Sequence, residues 1–201
     1  MKVALFINGE PPNFKIDLRQ YDYIHCTDGA LHYLSIWGID PDIISGDFDS
    51  GVVDENNEEI EIISTPDQNF TDFEKALQIL YTKGAETVHV YGASGRQQDH
   101  FLGNLSGAYR FKDKMTLIFF DNYSYYFFAD KKLELDGYKN RTISLYPFPE
   151  ATNIVTKGLA YPLSYESLNI LNRIGTRNVA TEDRVTIEYE SGDLIVFVMN
   201  D

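Results

Sequence analysis

Six short apolar runs in the first 120 residues constrain this chain more than any other feature. Each run ends close to a glycine, proline, aspartate or asparagine, which is typical of buried strands that stop at a turn. The runs lie at 3–7, 23–26, 43–44, 62–63, 87–91 and 115–120. Amphipathic helical stretches lie between several of them, and strands that alternate with helices predict a parallel sheet.

Three helices are predicted from local signals. Apolar residues at helical spacing over 30–37 indicate the first, and Gly38 is its natural stop. Thr71 and Glu74 form a capping box that begins the second helix. Asp99 opens the third, directly after a glycine-rich stretch.

From residue 123 onward the pattern changes, because short apolar or alternating runs recur without a convincing helix. These runs lie at 125–129, 142–146, 184–189 and 193–199. Asp136-Gly137 and Ser191-Gly192 stand between runs, where hairpin turns are expected. The sequence therefore predicts a Rossmann-like α/β domain with a parallel sheet over 1–122, followed by an antiparallel β domain over 123–201.

Composition excludes several classes of function. The formal net charge of -14 argues against binding nucleic acid or an anionic membrane surface, because both need a basic surface. With 43% hydrophobic residues, the chain can build a sizeable core. Cys26 is the single cysteine, and the start of the chain does not resemble a signal peptide. A cytoplasmic protein without disulfides is expected.

Aspartates follow the predicted strands. Asp28, Asp47, Asp49 and Asp99 each come just after a strand, and Asp72 lies in the first turn of a helix. Parallel strands end at one edge of a sheet, and ligands bind beyond that edge, so these acids should converge. Two of them have a purely structural alternative, because Asp72 suits a helix first turn and Asp99 suits an N-cap. Clustered carboxylates are the oxygen ligands that Mg²⁺ prefers, often together with phosphates.

Other residues near this edge are compatible with phosphate binding. The turn 92–95 precedes a helix and could hold phosphate on its backbone N–H groups, although such turns also simply connect elements. Lys75 lies on the helix face of Asp72 and could reach a phosphate, or it could be an ordinary solvated lysine. Of the four histidines, His100 is the one beside the acids, and no spacing of histidine and cysteine suggests zinc.

These motifs resemble those of the thiamine pyrophosphokinase family. The resemblance rests on Asp28-Gly29-Ala30, Gly46-Asp47-Phe48-Asp49-Ser50, Pro66-Asp67-Gln68, Thr71-Asp72 with Lys75-Ala76, and Gly92-Ala93-Ser94-Gly95 with Asp99-His100 and Asn104. In the second half, Gly158-Leu159-Ala160-Tyr161-Pro162-Leu163 and Gly175-Thr176-Arg177-Asn178 resemble the family's thiamine-binding part. The motifs keep the family's order and spacing over nearly the whole chain.

The resemblance implies transfer of a pyrophosphoryl group from ATP to the hydroxyl of thiamine, giving thiamine diphosphate and AMP. It also implies that the second domain is a β-sandwich and that the protein is a homodimer with active sites between subunits. By position, Asp28, Asp47, Asp49 and Asp72 are expected to hold Mg²⁺, and the last three to be catalytic. Lys75, Arg96, Asp99 and His100 are expected on the ATP side, and Gln68 and Asn178 on the thiamine side.

The chain departs from the family pattern in two places. Arg96 stands where a second glycine is common and Gln97 where the arginine is common, so Arg96 is expected to serve from one place earlier. Arg177 replaces a frequent serine before Asn178, and we expect it to point away from the cationic thiazolium.

Two other functions are compatible with the acidic motif. Asp47 and Asp49 could belong to a phosphatase or nucleotidyl enzyme, although the later acidic pair of haloacid-dehalogenase-like phosphatases is not evident. A non-catalytic protein that binds thiamine or a nucleotide is the third reading, and the intact set of acids speaks against it.

Overall fold

The computed structural model describes residues 1–48 and 59–200, which divide into two compact units, Met1–Asn122 and Tyr123–Asp201. Asp49, one of the residues predicted to hold Mg²⁺, lies outside the described residues. In the described ranges, no helix is long and apolar enough to cross a membrane.

The first unit is a parallel sheet with helices between its strands. The strands are β1 (Lys2–Phe6), β2 (Tyr23–Thr27), β3 (Ile43–Gly46), β4 (Glu61–Ser64), β5 (Thr87–Tyr91) and β6 (Thr116–Phe120). The helices are α1 (Asp28–Trp37), α2 (Asp72–Thr82) and α3 (Gln98–Phe111). All strand pairs are parallel, in the order β4-β3-β2-β1-β5-β6.

This strand order has a switch point between β1 and β5. The chain builds outward from β1 to β4 and then returns to add β5 on the other side of β1. The central strand β1 is buried from Val3 to Phe6, and Val3, Leu5 and Phe6 have no exposed surface. Open parallel sheets bind ligands at the carboxyl edge where the order reverses, so the topology points to the ends of β1 and β5.

The helix ends follow the predicted signals. Gly38 caps α1 in the left-handed conformation with φ of 66°. In the capping box of α2, Thr71 accepts a bond from the Glu74 N–H and Glu74 accepts one from the Thr71 N–H. The third helix differs in detail, because its N-cap is Gln97 and Asp99 lies inside the first turn.

The second unit is built from antiparallel strands. They are β7 (Ser124–Phe128), β8 (Lys132–Asp136), β9 (Thr142–Lys157), β10 (Ser164–Asn169), β11 (Gly175–Val179), β12 (Arg184–Glu188) and β13 (Ser191–Met199). The 16-residue strand β9 pairs with β10, β11, β12 and β13, and it contributes the buried Ile143, Leu145 and Ile154 to the core of this unit.

The two predicted hairpins of this unit are wrong as pairings. Gly137 and Gly192 do adopt positive φ, 83° and 77°, as turn glycines often do. However, Gly192 lies inside β13, opposite Ala151 of β9, and β8 pairs with β12 rather than with β9, so neither position is a hairpin turn between paired neighbours. A turn signal reports the local backbone, and the pairing of a strand is decided by long-range contacts.

Candidate active site

A cleft of about 700 Å³ lies at the carboxyl edge of the parallel sheet. Its lining comes from the ends of β1, β2 and β5 and from the first turns of α2 and α3. Seven of the residues predicted for the site line it: Asp28, Gln68, Asp72, Lys75, Arg96, Asp99 and His100. The topology therefore brings together residues that are spread over more than seventy positions of the sequence.

Two backbone N–H groups, one just after β2 and one just after β3, fix the Asp28 carboxylate. Its carboxylate accepts bonds from the N–H of Gly29 at 2.6 Å and of Phe48 at 3.2 Å. Gly46 makes room for it, because a β-carbon there would lie 2.3 Å from Asp28 Cγ. Partial burial, together with the negative charges of Asp72 and Asp47, raises the pKa of Asp28, and the two backbone bonds oppose this shift.

Asp47 lies just past β3 and contacts the loop that precedes α2. Gln68 Nε2 donates to Asp47 Oδ2 at 3.1 Å. This bond connects a residue that is predicted to bind thiamine to the acidic motif. Phe48 follows with a left-handed φ of 57°, an uncommon conformation for an aromatic residue. This geometry turns the chain directly after Asp47.

Asp72 and Lys75 form an ion pair in the first turn of α2. Lys75 Nζ lies 2.8 Å from Asp72 Oδ1, and it also donates to the backbone oxygens of Thr65 at 2.8 Å and Asp67 at 3.2 Å. The Asp72 carboxylate is 45% exposed toward the cleft side, whereas the Lys75 side chain is only 10% exposed. Asp72 is accessible to a ligand, while Lys75 is engaged with protein oxygens.

The side of the cleft predicted to bind ATP is formed by the β5 exit and the start of α3. Arg96 donates through Nη1 to Asn8 Oδ1 at 2.7 Å, so its guanidinium lies at the switch point between β1 and β5. Asp99 accepts a bond from the N–H of His100 at 2.9 Å within the first turn. Asn104, one turn further, donates to the Ala93 carbonyl at 2.9 Å and fixes the glycine-rich turn.

Two residues at the β1 exit were missed by the sequence analysis. Asn8 binds Arg96, and Gly9 packs so tightly that a β-carbon there would lie 2.1 Å from the Gly92 carbonyl oxygen. The signal that selected the acids would have selected this pair too, because Asn8 and Gly9 directly follow the first predicted strand.

The acidic residues have the right chemistry to bind a hard cation, since carboxylate oxygens are the ligands that Mg²⁺ prefers. Within 1–48 and 59–200, no group of three or more histidine, cysteine, aspartate or glutamate side chains is arranged to hold a metal ion. Asp49, the second acid of the motif, is outside those ranges. The mutual repulsion of Asp28, Asp47 and Asp72 is nonetheless what a bound cation relieves.

Asn178 lies in the second unit and organises its own motif. Its side-chain amide pairs with the backbone of Tyr161, accepting from the N–H at 3.0 Å and donating to the C=O at 2.7 Å. The two stretches predicted for thiamine binding, around Tyr161 and Asn178, are thus neighbours. Arg177 has a φ of 56°, and the orientation expected for its side chain stays a prediction.

Comparison with known families decides the relationship. Residues 14–120 match the family model "Thiamin pyrophosphokinase, catalytic domain". Residues 130–194 match "Thiamin pyrophosphokinase, vitamin B1 binding domain". The chain belongs to the thiamin pyrophosphokinase family. The family resemblance seen in the sequence motifs is confirmed.

Curated relatives of this family span the chain. Thiamine pyrophosphokinase of Bacillus subtilis (strain 168) is 26% identical over 216 residues, covering all of both chains. Thiamine pyrophosphokinase 1 of Oryza sativa subsp. japonica is 32% identical over 173 residues, covering 77% of this chain and 64% of the rice protein.

Solved structures share the fold. The Bacillus subtilis thiamine pyrophosphokinase structure superposes with a TM-score of 0.82 at 23% identity, covering 99% of each chain. The Candida albicans thiamin pyrophosphokinase structure has a TM-score of 0.84 at 19% identity, covering 100% of this chain and 89% of that one. The predicted α/β class, with parallel strands followed by antiparallel strands, is confirmed at this level.

Proposed function

We infer that this protein is a thiamine pyrophosphokinase, which transfers the pyrophosphoryl group of ATP to the hydroxyl of thiamine. The products are thiamine diphosphate and AMP. One observation carries this inference beyond family membership: Asp28, Asp72 and Asp99 of the catalytic-domain region meet in one cleft at the carboxyl edge of the sheet. Two further features, a basic side chain and a glycine-rich turn, lie in the same cleft.

The reaction is an in-line attack on the β-phosphorus. The hydroxyl oxygen of thiamine forms a bond to that phosphorus, and the bond to the oxygen bridging the α- and β-phosphates breaks, so AMP leaves. The hydroxyl proton passes to a carboxylate, and Asp72 is the proposed acceptor because it is accessible in the cleft. The remaining catalysis is positioning and electrostatic stabilisation.

Mg²⁺ is the proposed cofactor, and Asp28, Asp47, Asp49 and Asp72 are the residues proposed to hold it. When bound, the cation neutralises charge on the transferred phosphates. The chain's own contribution is the fixed placement of Asp28 by two backbone N–H groups. The exposed Asp72 completes the acidic side of the cleft.

ATP is proposed to lie against the β5 exit and the N-terminus of α3, near Arg96, Asp99 and His100. Backbone N–H groups at a helix N-terminus and in the turn before it can donate to phosphate oxygens. Lys75 was expected on the same side, but its ammonium is bound by Asp72 and by the backbone oxygens of Thr65 and Asp67.

Gln68 and Asn178 are the residues proposed to contact thiamine. In the finer arrangement we propose, the second unit is a β-sandwich domain that binds thiamine and forms a homodimer with active sites between subunits. The match of residues 130–194 to the vitamin B1 binding model supports the thiamine part.

The direct test is a reaction of the purified protein with thiamine, ATP and MgCl₂. AMP and thiamine diphosphate should form in equal amounts, and omission of the metal with added chelator should stop both. Release of ADP or inorganic phosphate in place of AMP would reject the pyrophosphokinase assignment and favour a phosphatase. Binding of thiamine without any product would favour a non-catalytic protein.

A further inference from the structure

Lys75 has a set of contacts that an ATP-binding lysine would not need. Its ammonium is bound by three oxygens, Asp72 Oδ1 at 2.8 Å, the Thr65 carbonyl at 2.8 Å and the Asp67 carbonyl at 3.2 Å. The side chain is 10% exposed. A lysine ammonium carries three N–H donors and no acceptor. All three donors of Lys75 therefore have a protein oxygen within reach.

The two carbonyls belong to the segment between β4 and α2. Thr65 continues the sheet, because its N–H donates to the Gly46 carbonyl at 2.8 Å. Asp67 then starts a tight turn in which its carboxylate accepts from the Asn69 N–H at 2.9 Å. Lys75 ties both ends of this short segment to the first turn of α2.

The tied segment leads directly into Gln68. The Gln68 amide donates to Asp47 Oδ2 at 3.1 Å, so the position of the segment also sets how Gln68 meets the acidic motif. Release of the Lys75 contacts would leave Gln68 on a longer, less restrained connection. It would also leave Asp72 without its ion-pair partner in the first turn of α2.

We propose that Lys75 is a positioning residue for the acceptor side of the site. It clamps the 65–67 segment to α2 and thereby places Gln68. In this role Lys75 does not bind the phosphates of ATP. The identity of the acceptor as thiamine rests on the function proposed above, whereas the clamp itself is a property of the free protein.

The clamp and a phosphate contact predict opposite kinetic effects. Loss of a phosphate contact would raise the Michaelis constant of ATP. Loss of the clamp disorders the segment that carries Gln68, so it would raise the Michaelis constant of thiamine. The variant Lys75→Arg also distinguishes the clamp from a phosphate contact. Arginine replaces lysine readily at a phosphate, but its guanidinium cannot reproduce a compact ammonium between three oxygens.

The main experiment compares Lys75→Met with Lys83→Met. Lys83 is a matched control because it caps the other end of α2 and forms an exposed ion pair with Glu61 at 2.7 Å. In Lys75→Met we expect the Michaelis constant of thiamine to rise about tenfold and that of ATP to stay within about twofold. A tenfold rise corresponds to the loss of one charged hydrogen bond. Lys83→Met should leave both constants unchanged.

Hydrogen exchange on the free protein gives a readout that needs no catalysis. The N–H groups of Thr65 and Asn69 are bonded in the clamped segment, so they should exchange on the order of tenfold faster in Lys75→Met and normally in Lys83→Met. Lys75→Arg should resemble Lys75→Met in both measurements.

Three results would each overturn the clamp. They are a rise in the Michaelis constant of ATP as large as that of thiamine in Lys75→Met, unchanged hydrogen exchange at Thr65 and Asn69, and full rescue by Lys75→Arg. If the wild-type protein transferred nothing to thiamine, the proposed function would fall, and faster exchange in Lys75→Met would still support the clamp.

Discussion

Replacement of Gly46 by alanine tests whether the placement of Asp28 governs activity. The added β-carbon would lie 2.3 Å from Asp28 Cγ and 2.4 Å from Oδ2, where ordinary contacts begin at 3.4 Å. The carboxylate must therefore withdraw by about 1 Å, since Gly46 is held in the sheet opposite Ser64 and its carbonyl accepts a bond from the Thr65 N–H. That withdrawal strains the bonds from the Gly29 and Phe48 N–H groups.

The expected effect on activity is larger than the effect on stability. A misplacement of about 1 Å at a reacting centre costs on the order of 100-fold in rate. Overpacking a buried site costs about 1–3 kcal/mol of unfolding free energy. Gly46→Ala should thus fold, lose about 1–3 kcal/mol, and lose on the order of 100-fold in kcat/KM.

Ser45→Ala is the matched control on the same strand. Ser45 Oγ lies 2.8 Å from His25 Nε2 in the buried sheet, so its loss should cost about 1 kcal/mol without moving Asp28. AMP formation and urea unfolding would be measured for both variants below their unfolding transitions. Near wild-type activity in Gly46→Ala would refute the reasoning, as would an equal loss of activity in Ser45→Ala.

Three further predictions concern single side chains. Burial lowers the pKa of His25 from 6.5 to about 3, so below pH 6.5 the unfolded chain binds a proton that the folded chain does not. Protonation of His25 in the unfolded chain should lower the unfolding free energy by about 2 kcal/mol between pH 8 and pH 5. Urea unfolding at several pH values measures this decrease, which should be absent in His25→Gln. Thr71→Ala removes the acceptor of the Glu74 N–H and should cost about 1 kcal/mol in the same assay, while an unchanged midpoint would count against the cap. Asp72→Asn should lower kcat by orders of magnitude with an unchanged circular dichroism spectrum, and the exposed acid variant Asp113→Asn should not; near-normal turnover would remove Asp72 from the mechanism.

Much of the first unit was predictable from short-range patterns. The runs 3–7, 23–26 and 87–91 became β1, β2 and β5 within one or two residues, because a buried strand needs a continuous apolar stretch. The stop at Gly38 and the Thr71 capping box were also found as predicted. Each of these signals acts within about four residues, so the sequence displays it directly.

The candidate site was predictable in outline and not in contacts. The rule that parallel strands end at one edge placed Asp28, Asp72 and Asp99 in a single cleft. It did not reveal that Arg96 meets Asn8, or that Lys75 is occupied by backbone oxygens. Those facts depend on how loops from different strands approach one another.

By itself the sequence determined the local elements, the change from alternating strands and helices to strands alone, and the acidic residues that chemistry requires. The tertiary structure decided the partners. The contact of Arg96 with Asn8 spans 88 residues, and strand β8 pairs with β12, where Asp136 lies opposite Arg184, rather than with its neighbour β9. Periodicity and capping are properties of a few consecutive residues, whereas such pairings depend on the packing of the whole chain, and no local pattern encodes them.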